Sequence, residues 1–146
     1  MSTTVPTSRM TCIGRVLVIV YAVMALAATG RSFVQIFRQF DEAPLAYSLS
    51  ALAAVVYILA TLALVLASRR GWYAVAWVAI VFELTGVLVV GVLSLVLPDL
   101  FQHETVWSLF GRGYLFIPLV LPIFGIWWLR THNPAALERS RAEVAA

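Results

Sequence analysis

The chain alternates four long apolar runs with polar breaks. A bilayer core takes about 20 apolar residues per helix. The runs cover about 13–29, 45–67, 72–97 and 114–129, the last being short. The second run carries no charge, and the third carries one, Glu83. Each run is continuous rather than alternating with period two, which favours helices over a transmembrane β-barrel. The pattern predicts an all-α fold: a four-helix transmembrane bundle forming one integral membrane domain over residues 1–146.

The breaks have local causes. Asp41, Glu42 and Pro44 close the first hairpin, because proline and its predecessor leave the helix. Ser68, Arg69, Arg70 and Gly71 form a tight basic turn, which makes the second and third runs antiparallel neighbours. The third connection, 98–113, is the longest and most polar. Leu100, Phe101, Val106, Trp107 and Phe110 in it suggest a short helix lying on the membrane surface. Pro118 and Pro122 in the fourth run predict a kink. At its end, Trp127, Trp128 and Arg130 read as an interfacial anchor, as do Trp72 and Tyr73 at the start of the third run. In the tail, 130–146, Asn133 and Pro134 read as a helix start, with Arg139 and Glu143 paired at i, i+4.

Helical periodicity sorts each span into faces. Tyr21, Met24, Ala28, Arg31, Ser32 and Gln35 share one face of the first. Ala46, Ser50, Ala53, Tyr57, Thr61 and Leu64 share one face of the second. Ala76, Ala79, Glu83, Gly86, Val90 and Ser94 share one face of the third. Small residues in such stripes let helix backbones approach closely.

Composition removes the soluble alternative. Of the 146 residues, 62% are hydrophobic and 12% charged, where a soluble domain carries about 25% charged. A single cysteine, Cys12, excludes a disulfide scaffold. The charges also set an orientation, because arginine concentrates on the cytoplasmic side. With both termini inside, Arg9, Arg15, Arg69, Arg70, Arg130, Arg139 and Arg141 are cytoplasmic, against Arg31, Arg38 and Arg112 outside. The expected topology is N-in/C-in across the cytoplasmic (inner) membrane. The net charge of +3 then describes a basic rim facing anionic lipid, not a nucleic-acid surface.

Glu83 is the most informative residue. A charged side chain at mid-bilayer costs a few kcal/mol and must face protein or water. It lies twelve residues beyond Gly71, and Tyr57 lies twelve before Arg69, so both sit at about 18 Å on adjacent spans. A Tyr57 hydroxyl donating to Glu83 fits this depth, and Arg31, from above, has a side chain long enough to reach down. A buried cluster of Glu83, Tyr57 and Arg31 is the expectation. It serves either as a hydrogen-bonded lock between helices or as a proton or cation site. In the outer loop Asp99, His103 and Glu104 are the other candidates. Asp99 and His103, at i, i+4, have metal-ligand spacing, but with one histidine the expectation is no metal.

Other chemistry lacks its residues. No span carries a histidine for haem, and the sequence has no C-x-x-C, glycine-rich phosphate loop or H-E-x-x-H. The expectation is a protein that is not an enzyme and needs no cofactor. Several strings carry a resemblance: Glu42-Ala43-Pro44-Leu45-Ala46-Tyr47, Phe82-Glu83-Leu84-Thr85-Gly86-Val87, Thr105-Val106-Trp107-Ser108, Gly113-Tyr114 and Pro118-Leu119-Val120-Leu121-Pro122. Together they resemble small four-span integral membrane proteins of actinobacteria over roughly residues 15–130. Ten arginines with no lysine fit a GC-rich genome. The resemblance implies source and location, not an activity. Size and a lone membrane glutamate also invite comparison with small multidrug resistance transporters. There the essential acid is in the first span, and here it is in the third.

Three functions follow as expectations. The first is an accessory or assembly subunit of a larger membrane complex, its partners being the lipid bilayer and other subunits or further copies of itself. The second is a small oligomeric proton-coupled transporter or channel using Glu83. The third is a membrane enzyme acting through the outer loop, the weakest of the three. A competing reading takes Arg9, Arg15 and Ala25-Leu26-Ala27 as a cleaved signal peptide. Intact mass separates the two: the four-span reading expects the uncleaved chain, and a mature protein starting near Ala28 overturns it.

Overall fold

The computed structural model describes residues 12–67, 69–133, 139 and 142–145. The helix start at Asn133–Pro134 falls largely outside them, as do Arg9, Ser68 and Arg141. Among the described residues the fold is made by α1 (Cys12–Gln39), α2 (Pro44–Val65), α3 (Arg70–Val96) and α4 (Ile117–Thr131). There is no strand among the described residues. Helices α1, α2 and α3 are each long and apolar enough to cross a membrane, and counting α4 with the bent turn before it brings the total to four.

The first helix is longer than its apolar run. It continues from Thr29 to Gln39 because that stretch contains no proline and Gly30 as its only poor helix former. Its 28 residues span about 42 Å, so its polar end extends past an apolar layer of about 30 Å. A single 3-10 turn, Phe40–Glu42, follows it, and Pro44 takes the first position of α2, where a missing N–H costs nothing.

The three stripes face one another. Tyr21, Ala28, Ser50, Tyr57, Ala60, Ala76, Ile80 and Glu83 are all fully or almost fully buried. The starts of α1 and α3 and the end of α4 meet at one end of the bundle: a methyl on Gly14 would sit 3.0 Å from the Trp128 ring, and the Tyr73 hydroxyl donates to the Leu129 carbonyl at 2.6 Å. Trp128 is therefore a packing residue, stacked on His132 at 4.7 Å, and not a membrane anchor. Trp127 is half exposed.

The connection before α4 departs most from expectation. It is not a surface helix. Val106 and Trp107 are buried, and the chain enters the bundle through a 3-10 turn, Ser108–Tyr114. Glycines on α3 make room. A methyl on Gly86 would lie 2.7 Å from the Trp107 ring, and one on Gly91 would collide with Phe110. The backbone accommodates this inward path with left-handed conformations at Leu109, Phe110, Leu115 and Phe116, each costing about 1–2 kcal/mol. Ser94 offsets part of that by accepting the Leu109 N–H at 2.9 Å. The turn then bends 98° into α4. The expected kink thus falls before Pro118, which occupies the first turn of α4, while Pro122 lies inside the helix.

Replacing Gly91 by alanine is expected to lower the unfolding midpoint in detergent by the equivalent of about 1–3 kcal/mol, through overpacking against Phe110. Alanine at Gly113, whose nearest neighbour would be 3.5 Å away, is expected to leave the midpoint unchanged.

Candidate functional site: a sealed carboxyl

The candidate site forms where α1, α2 and α3 meet. Glu83 is fully buried. Tyr21 donates its hydroxyl to Glu83 Oε2 at 2.6 Å. The Tyr57 hydroxyl is close enough to interact with the same carboxyl electrostatically, and its ring lies 6.2 Å from that of Tyr21. Trp107, arriving from the inserted loop, donates its indole N–H to the Tyr57 hydroxyl at 3.2 Å. The other oxygen, Oε1, has no hydrogen-bond partner among the described residues. The carboxyl of α3 is thus met by neutral groups from two other helices, and a loop holds one of those groups in place.

Arg31 is not part of this cluster. Its guanidinium donates to the Glu104 backbone carbonyl at 2.7 Å and lies 5.9 Å over the Tyr114 ring. The reason is depth: Arg31 is ten residues past Tyr21 along α1, about 15 Å away. Water and a backbone carbonyl at the hairpin end of the bundle are less costly partners for an arginine than the interior. Its work is to hold the inserted loop from above. That loop is braced from within as well: the Thr105 N–H bonds to Ser108 Oγ at 2.9 Å, and the Trp107 N–H to Thr105 Oγ at 3.2 Å.

The outer-loop candidates stay apart from the carboxyl. His103 is exposed and packs edge-on against Tyr47, with ring centres 5.8 Å apart. Asp99 and Glu104 are exposed. No group of three or more His, Cys, Asp or Glu residues among those described is placed to hold a metal.

Sequence reasoning placed Tyr21 on the inward stripe of α1 without pairing it to Glu83. The signal was present: Tyr21 is seven residues from Gly14, about 10 Å, and a tyrosine reaches several ångströms further. Trp107 carried no such signal, because its position depends on a slot in α3 that periodicity does not reveal. Comparison with protein-family models, with curated proteins and with solved structures finds no match.

Tyr21→Phe removes the hydroxyl that donates to Glu83 and leaves Oε2 buried and unpaired. The expected loss of stability is about 1–3 kcal/mol, read as a lower unfolding midpoint in detergent. An unchanged midpoint would show that the bond contributes nothing.

Proposed function

We propose that this protein is a small accessory or assembly subunit of a larger membrane protein complex. It crosses the cytoplasmic membrane four times, with both termini inside. One observation carries the reading: Glu83, the one buried acid or base among the described residues, is enclosed and spent on joining helices. Glu83 has no exposed surface, Tyr21 donates to it, and Trp107 fixes Tyr57 alongside. A groove of about 420 Å³ opens between α1 and α4, but its walls are apolar and include none of these residues. The outward faces carry exposed Val23, Leu26, Val55, Val78 and Leu95, which suit contact with lipid or with other membrane helices. A resident of an actinobacterial membrane fits the arginine usage. Extraction in mild detergent from native membranes is expected to bring down a second membrane protein at fixed stoichiometry. A lone monomer, with no co-purifying subunit, counts against the proposal.

The second reading is a proton-coupled oligomeric transporter using Glu83. The unpartnered Oε1 favours it, because a buried polar atom without a partner is rare and marks functional positions. Purified protein in liposomes is then expected to carry proton flux that Glu83→Gln abolishes while assembly is kept. Loss of assembly in that variant instead supports the lock.

A further inference from the structure

Four buried side-chain polar atoms have no hydrogen-bond partner among the described residues: Gln35 Oε1, Ser32 Oγ, Ser50 Oγ and Glu83 Oε1. Their positions are not scattered. On α1, Ser32 and Gln35 follow Tyr21 by 11 and 14 residues, which returns both to within about 40° of its face. On α2, Ser50 precedes Tyr57 by seven residues, again within about 20°. On the scale that puts Glu83 at about 18 Å, Ser32 and Ser50 are level at about 27–28 Å and Gln35 is at about 31 Å. The four atoms therefore run in one direction along the α1–α2 seam, from the carboxyl to a serine pair about 10 Å beyond it and on to Gln35 toward the hairpin end.

The file has one direction. Toward the opposite end the same interior is Leu17, Ala60, Ala63, Leu64 and Ile80, all buried and apolar. None of the four atoms lies on that side. Buried polar groups pair with protein or with ordered water, and such waters need polar partners and room. Small buried side chains occupy the intervening positions, Ala25 and Ala28 between Tyr21 and Ser32 and Ala53 between Ser50 and Tyr57.

We propose that the α1–α2 seam above Glu83 binds a file of ordered waters. Ser50, Ser32 and Gln35 hold it, and it ends on Glu83 Oε1. Through it the carboxyl meets the aqueous phase at the hairpin end and is closed off from the other end by apolar packing. This inference assigns an accessible side to Glu83 whether or not the protein belongs to a larger complex.

Met24 tests it, because it lies three residues past Tyr21 on the inward side of α1, at the carboxyl end of the proposed file, and is only 2% exposed. The full chain in lipid nanodiscs is mixed with oxygen-18 water, irradiated for milliseconds to make hydroxyl radicals from bound water, and digested for mass spectrometry. Met24 is expected to take up the heavy oxygen. Uptake is expected to fall several-fold in a Ser32→Ala/Ser50→Ala double variant, with no rise in the unfolding midpoint. Met24 left unlabelled in the parent protein overturns the proposal. So does equal labelling in the double variant, or a raised midpoint, which marks dry serines relieved of their hydroxyls. Should the double variant not fold, labelling of Met24 in the parent protein alone decides.

Discussion

The structure depends on the enclosure of one carboxyl in a low-dielectric interior. A group such as Glu83 is tolerated there only when donors reach it and lipid does not. Tyr21 supplies the donor from α1, and α2 brings Tyr57 alongside. The alanines and serines of the three stripes allow the helices to come close enough for both contacts. The order is physical: close approach first, then tyrosines of the right length, then a carboxyl that can be carried at mid-depth.

Enclosure by three helices leaves one side to be covered, and the loop before α4 covers it. Trp107 brings a large apolar ring and one N–H, and both are used: the ring on Gly86, the N–H on Tyr57. The left-handed residues around it show that the backbone is bent to serve the side chains rather than the reverse. Such strain persists only where surrounding contacts over-determine it. Here those contacts are Arg31 on the Glu104 carbonyl, Ser94 on the Leu109 N–H, and Phe110 on Gly91. The loop is therefore an integral part of the core, although its sequence resembles an ordinary connection.

What was legible in the sequence follows from periodicity. The helices, the inward stripes and the isolation of Glu83 can be read there, because each depends on spacing within one segment. Tyr57 could be placed beside Glu83 because a tight turn ties the depths of α2 and α3 together. Arg31 was misassigned because depth was matched to side-chain length without asking what else was near; a loop carbonyl was nearer. Trp107 was taken for a surface residue because loop insertion is decided by shape between segments. The end of α1 was placed too early because hydropathy stopped at Thr29 while helix propensity did not.

The unequal lengths of α1 and α4 have a consequence for the surrounding lipid. At 1.5 Å per residue the 15 residues of α4 give about 22 Å of helix, against about 42 Å for α1. These two helices flank the same apolar groove. A bilayer adapts to a short apolar helix by thinning and to a long one by thickening or by tilting it, at fractions of a kcal/mol per ångström of mismatch. The excess of α1 is its polar end past Thr29, so the mismatch falls on α4 alone: lipid beside that helix thins, or the bent turn before it covers the difference.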